Sequence, residues 1–191
     1  MSDLKVSIGI SNRHLHLGQA DLETLFGKGH QLTPTKDLSQ PGQFACEETV
    51  NLIGPKGKIA KVRVLGPVRP ATQIEVSRTD SFALGINPPV RESGDIANSA
   101  GIILEGPLGQ VELKEGVIIA KRHLHLHVDE AVKFGVKDKE IISVKFDGDR
   151  SVTFSEVVVR VHPNFAMDLH LDTDEANAAG LKNGDWGTIV K

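Results

Sequence analysis

The sequence is short of the residues that mark several large classes of protein. It holds one cysteine, Cys46, so no intramolecular disulfide can form and nothing speaks for an oxidising compartment. Tyrosine is absent, and one tryptophan and seven phenylalanines leave few side chains on which nucleic-acid bases could stack. Neither sign of charge dominates: 22 basic residues stand against 25 acidic ones, for a net charge of −3. That balance argues against nucleic acid or an anionic membrane surface as the main partner. No apolar run nears the roughly 20 residues needed to cross a bilayer. The opening residues, Met1 to Lys5, contain no stretch resembling a secretion signal, so a cytoplasmic protein is expected. With 39% hydrophobic and 25% charged residues over 191 positions, the chain has globular composition and room for one ordinary domain or two small ones.

What is present in excess of ordinary pattern is histidine, by arrangement rather than number. Of eight histidines, four lie in two near-identical motifs, Asn12-Arg13-His14-Leu15-His16-Leu17 and Lys121-Arg122-His123-Leu124-His125-Leu126, and His127 follows the second. Each motif follows an apolar segment, Val6–Ile10 or Gly116–Ala120, and precedes a polar stretch with helical character, Gln19–Phe26 or Val128–Phe134. The natural reading is a duplicated half, or two related domains.

On an extended strand, residues i and i+2 share a face. His14 and His16 then project together while Leu15 and Leu17 point to a core, and His123, His125 and His127 do the same against Leu124 and Leu126. Two imidazoles about 6–7 Å apart at their Cα atoms can converge on one metal ion, whose bonds to nitrogen are only about 2.0 Å long. A face of histidines is otherwise costly, because an unpaired buried imidazole forfeits its hydrogen bonds. The alternative is a solvated histidine face, which two copies in matching context make hard to sustain. Each copy needs a third ligand. Glu75 in Gln73-Ile74-Glu75-Val76 and His170 in Asp168-Leu169-His170-Leu171-Asp172 lie in strand-like segments, with His30 and His162 as second choices.

Helical signal elsewhere is limited to Thr173–Ala179, with Asp172 or Thr173 as its N-cap, and a turn near Gly94–Ala97. Lys58–Leu65, Gln73–Ser77, Gly101–Glu105, Gln110–Leu113, Glu140–Phe146, Ser151–Arg160 and Gly187–Val190 read as short strands between Gly- and Pro-bearing turns. The expected fold is mainly β, of β-barrel type with small helical caps. An eight-stranded βα barrel needs about 250 residues, which excludes it. A cupin fits poorly, because neither motif is followed by its later histidine module. Gly54-Pro55-Lys56-Gly57-Lys58 lacks the spacing of a phosphate loop and reads as a hairpin turn.

Both motifs, the segment Gly66-Pro67-Val68-Arg69-Pro70-Ala71-Thr72-Gln73-Ile74-Glu75 and the tail His162 to Ala178 occur in the order found in PduL-type phosphotransacylases, also called phosphate propanoyltransferases. The chain resembles that family over essentially its whole length. The resemblance implies exchange of short acyl groups, propanoyl or acetyl, between coenzyme A and inorganic phosphate: acyl-CoA + phosphate ⇌ acyl phosphate + CoA. It implies two barrels, one from residues 1–12 and 121–191 and the other from 13–120. It further implies two zinc ions per chain, a cleft associated with a homodimer, and CoA, acyl-CoA and phosphate as partners. Transferred by motif, His14, His16 and Glu75 would hold one metal, and His123, His125 and His170 the other. Arg69, as the catalytic arginine, and Arg160 would contact phosphate with Gln73 and Ser93; Ser11, Asn12, Arg13 and Asn177 would contact CoA. Members packaged in bacterial microcompartments carry an amphipathic N-terminal extension, and only five residues precede Val6 here.

The implied chemistry suits these residues. A three-ligand zinc keeps an open position for a carbonyl oxygen or a thiolate. A planar guanidinium at Arg69 grips phosphate through two bonds, and its flanking prolines restrict the backbone. The competing readings are a dinuclear zinc hydrolase of thioesters or esters and a non-catalytic metal-binding module. Cys46, beside Glu47 and Glu48, is expected to be a packing residue rather than a nucleophile.

Overall fold

The computed structural model describes residues 4–190; Met1, Ser2 and Asp3, part of the stretch read for a secretion signal, and Lys191 lie outside the described residues. In chain order the elements are β1 Lys5–Ser11, β2 His14–His16, α1 Gln19–Phe26, β3 Pro34–Asp37, β4 Phe44–Ile53, β5 Lys58–Gly66, β6 Gln73–Glu75, α2 Arg78–Leu84 and β7 Val90–Arg91. There follow β8 Ala100–Glu105, β9 Gln110–Ala120, β10 His123–Leu126, α3 Val128–Phe134, β11 Ile141–Phe146, β12 Val152–Val161, β13 Asp168–Asp172, α4 Thr173–Ala179 and β14 Trp186–Val190. The fold is mainly β, with short helices following strands. No helix among the described residues is long and apolar enough to cross a membrane.

The chain divides into two units. The first comprises the residues up to Ser11, Ser39–Pro41, and everything from Lys121 onward. Its six strands close into a barrel in the order β1-β13-β10-β12-β11-β14. Alternation explains the closure: Leu124, Leu126, Val157, Val159, Leu169 and Leu171 all turn inward and are essentially solvent-free, packed with Val6, Ile8, Val144 and Phe146. Each such side chain contributes about 1.5–3 kcal/mol on leaving water.

The second unit holds Asn12–Leu38 and Gly42–Ala120. Here β4, β5, β2, β6, β9 and β8 close a ring, with β3 added beside β4 and β7 beside β9. Leu15, Leu17, Val50, Leu52, Val62, Val64, Ile74, Leu104 and Val117 fill it. The turn Gly54–Gly57 joins β4 to β5 as a hairpin, the Gly54 amide donating to the Gly57 carbonyl.

The two barrels share one pairing scheme. The β10 strand runs parallel to β12 and antiparallel to β13, as β2 runs parallel to β5 and antiparallel to β6. In turn β13 is parallel to β1, and β6 is parallel to β9. Duplication is therefore real at the level of topology, but the strand preceding each histidine motif is exchanged. The β1 strand leads into β2 yet belongs to the barrel of β10, and β9 leads into β10 yet belongs to the barrel of β2.

Helices α2, α3 and α4 open on reciprocal capping boxes, Ser77 with Asp80, His127 with Glu130, and Asp172 with Glu175. Each ends on a left-handed glycine. His127 thus corrects the period-two reading of the second motif. The β10 strand ends at Leu126, and the His127 ring accepts the Asp129 amide as an N-cap rather than joining His123 and His125 on their face.

Candidate metal centres and anion site

In the first unit, strand register brings the ligand candidates together. His123 stands opposite His170, and His125 stands opposite Asp168 on one side and Arg160 on the other. The three imidazoles pack edge to face, with centroids 4.8 Å apart for His123 and His125 and 4.9 Å from each of these to His170. One nitrogen from each ring lies within 4.8 Å of the other two, a grouping able to hold a metal ion.

The proton arrangement fits that use. His123 Nδ1 lies 2.8 Å from the Lys121 carbonyl; a carbonyl only accepts, so this nitrogen carries the proton and Nε2 keeps its lone pair. His125 Nδ1 is buried with no hydrogen-bond partner among the described residues. Such an atom is expensive unless something else fills its need, which a metal ion does. Burial, then the neighbouring His123 and His170 and the charge of Arg160, lowers the His125 pKa to about 2, so the ring stays neutral and free to ligate.

In the second unit, His14 stands opposite Glu75, and His16 opposite Gln73. His14 Nδ1 donates to the Asn12 carbonyl at 2.8 Å, the same two-residue reach as at His123, and its Nε2 lies 3.6 Å from Glu75 Oε2. The His14 and His16 rings meet edge to face at 5.5 Å. His16 Nδ1, like His125 Nδ1, is buried without a hydrogen-bond partner among the described residues. Burial, followed by the charge of Arg69, lowers the His16 pKa to about 3. Each cluster therefore pairs a carbonyl-tethered outer histidine with a deeply buried neutral one, and each has an arginine whose charge bears on the buried ring. Among the described residues, the grouping whose ligand atoms come close enough to hold a metal ion is His123, His125 and His170; His14, His16 and Glu75 share the pattern of tether and burial.

Arg69 lies on the irregular segment between β5 and β6. Its amide donates to the Leu17 carbonyl, and Thr72 Oγ1 accepts the Gly18 amide, which pins the segment to the end of β2 just past His16. Ser93 Oγ accepts from Gln73 Nε2, leaving its own hydroxyl proton to donate, while Gln73 Oε1 accepts the Gly94 amide. Arg160 lies over the Phe165 ring at 5.8 Å, and Phe165 packs on His125 at 4.5 Å.

The residues read as CoA contacts are more dispersed. Ser11 ends β1 opposite Asp172, Asn12 accepts the Arg13 amide, and Asn177 is exposed on α4. Arg13 grips the buried Asp80 carboxylate at 2.8–2.9 Å, and Asp80 belongs to the capping box of α2. In the other motif Arg122 pairs with Glu175, of the capping box of α4. The arginine preceding each histidine pair thus ties the ligand strand to the helix that follows the third-ligand strand. Of the second-choice histidines, His30 bonds Glu48 Oε1 at 2.8 Å and stacks on Phe26, and His162 accepts the Asn164 amide in a turn. Asp168, buried and bonded to His170, was not singled out from sequence; its place two residues before a candidate ligand on one strand is the signal that could have found it.

Comparison with known proteins gives a consistent set of likenesses. A family model described as phosphate propanoyltransferase matches residues 7–182. A phosphate propanoyltransferase of Thermotoga maritima is 56% identical over 187 residues, covering 97% of this chain and 89% of the relative. Those of Listeria monocytogenes and Priestia megaterium are 50% and 52% identical, over 97% and 96% of this chain and 87% and 85% of their own lengths.

Proposed function

The chain belongs to the phosphate propanoyltransferase family, and from that premise we propose that it transfers a short acyl group, propanoyl or acetyl, between coenzyme A and inorganic phosphate. The observation that carries the site assignment is the pair of buried, unpartnered imidazole nitrogens, His16 Nδ1 and His125 Nδ1, one in each histidine cluster and each with an arginine's charge nearby. His14, His16 and Glu75 would hold one metal, and His123, His125 and His170 the other. A zinc ion so held would supply Lewis-acid polarisation of a thioester carbonyl and tolerance of a thiolate.

The remaining work falls to the chain. Arg69 holds the phosphate dianion through its guanidinium fork, with the Ser93 hydroxyl as a donor. Gln73 orients that hydroxyl. A phosphate oxygen attacks the thioester carbon; the C–S bond breaks as the C–O bond forms, and the phosphate proton ends on the CoA sulfur. Ser11 and Asn177 of the first unit, and Asn12 and Arg13 of the second, are the candidate CoA contacts. Cys46 takes no part: it is fully buried, and burial together with Glu48 pushes its pKa up to about 11, so the thiolate is scarce.

The test is CoA release from acetyl-, propanoyl- and butanoyl-CoA with and without phosphate. Acyl phosphate formed only when phosphate is present supports the transferase. Free acid formed at the same rate without phosphate would make the protein a hydrolase.

A further inference from the structure

A metal ligand needs a fixed orientation and the right protonation state, and the group hydrogen-bonded behind it sets both. His14 and His123 are held by backbone carbonyls. The third member of each cluster is held by a side chain. Glu75 and His170 each lie two residues beyond a buried polar residue on the same strand, Gln73 at 3% exposure and Asp168 at 5%. Strand geometry puts residues i and i+2 on one face. Gln73 Nε2 donates to Glu75 Oε1 at 2.8 Å, and Asp168 Oδ2 accepts from His170 Nε2 at 3.0 Å.

Gln73 and Asp168 occupy corresponding places in the two barrels, since each stands opposite the second histidine of its pair, Gln73 across from His16 and Asp168 across from His125. Their chemistry is exchanged to match the ligand. A carboxylate ligand, which can only accept, meets an amide donor. An imidazole ligand, which must keep one nitrogen bare, meets a carboxylate that takes its N–H.

We propose that Gln73 and Asp168 are a duplicated pair of positioning residues, each fixing the orientation and protonation of the third metal ligand in its own barrel. This rests on reading the two clusters as metal sites. The Asp168 carboxylate keeps the His170 proton on Nε2, turns Nδ1 into the ligating atom and sets a negative charge behind an otherwise neutral three-imidazole set. Space for that carboxylate comes from Gly9, where a β-carbon would lie 2.6 Å from Asp168 Oδ2. Gln73 is locked against rotation, because its amide also donates to Ser93 Oγ at 2.9 Å and accepts the Gly94 amide at 2.7 Å. Flipping it would set two oxygens against each other at Glu75 and two N–H donors against each other at Gly94.

The experiment titrates metal-free, full-length protein with Zn²⁺ and Co²⁺ against a chromophoric chelator. His16→Ala and His125→Ala identify which affinity belongs to which cluster. Asp168→Asn should weaken the three-histidine site 10- to 100-fold and leave the other unchanged; Gln73→Met should do the reverse. A merely structural role would lower the melting temperature of metal-free protein and weaken both sites together, and that result would overturn the proposal. Nitrogen-15 NMR of the metal-free wild type needs no variant: His170 should carry its proton on Nε2, and His14 and His123 theirs on Nδ1. The opposite tautomer at His170 refutes the role of Asp168. A wild type that binds no metal overturns the metal reading and this proposal with it, whereas two bound metals with unaltered affinities in both variants overturns the positioning roles alone.

Discussion

Two buried histidines should make the metal-free protein lose stability steeply in mildly acidic solution. His16 is 2% exposed and His125 5%, and burial is the main cause that lowers them from 6.5 to about 3 and about 2. In the unfolded chain both return to about 6.5. As pH falls below that value the unfolded state takes up two protons that the folded state refuses until about pH 3. Their contribution to stability is therefore fully present above pH 6.5 and is lost progressively as pH drops toward 3. Between pH 7 and pH 5 each histidine costs about 2 kcal/mol, about 4 kcal/mol together. That is a large share of the about 5–15 kcal/mol that holds a typical domain folded. The assay is urea unfolding with chelator present, followed by far-ultraviolet circular dichroism at pH 5, 6 and 7, on wild type and His125→Gln. Glu48 is held below the usual carboxylate range by its bonds to Thr33 and His30, against the opposing effect of burial, and Asp172 and Glu175 are held above it by burial. These groups are common to both proteins, so their effects cancel in the comparison. The loss from pH 7 to pH 5 should be smaller by about 2 kcal/mol in the variant. Equal losses in the two proteins would refute the reasoning.

Arg69→Ala should lose about 1.5–3 kcal/mol of transition-state stabilisation, roughly a 10- to 150-fold fall in kcat/KM for phosphate, with the Kd for CoA by calorimetry unmoved. Unchanged phosphate kinetics would remove Arg69 from the site. Cys46→Ala should keep most activity and cost about 1 kcal/mol of stability for the lost packing; a dead variant with parallel initial-rate plots would make the thiol the nucleophile. Protein purified without chelator should hold close to two metal equivalents by elemental analysis, falling to one in His123→Ala/His125→Ala. A single equivalent untouched by that change would refute a metal site there.

Local patterns carried much of the architecture. Helices Gln19–Phe26, Val128–Phe134 and Thr173–Ala179 stand where polarity, caps and following glycines place them, because helix limits are set by groups a few residues apart. Four elements escaped: the short strands β3 and β7 at the ends of the second sheet, and β4 and α2. The β4 strand turns Cys46, Glu48, Val50 and Leu52 inward, and a carboxylate on the buried face hid the alternation. Glu48 is tolerated there because Thr33 and His30 donate to it, an arrangement visible only across a loop. The α2 helix has a legible box in Ser77 and Asp80, but seven residues with Phe82 exposed carry too little apolar periodicity to announce a helix.

The paired histidines and their facing leucines follow from the two-residue repeat of a strand, so the sequence by itself determined that His14 with His16, and His123 with His125, share a face. It also determined the duplication, through two motifs in matching context. Which distant residue completes each pair is a matter of register: Glu75 meets His14, and His170 meets His123, only because β6 and β13 align antiparallel to the histidine strands. Nothing local specifies that alignment, since it is set by closure of each barrel around its core. The same holds for the exchange of β1 and β9, for the turn of His127 away from its neighbours into a helix cap, and for Asp168 behind His170. Sequence neighbours report what a strand presents. Only the closed barrel decides what it is presented to, because hydrogen bonds between strands join residues that the chain keeps far apart.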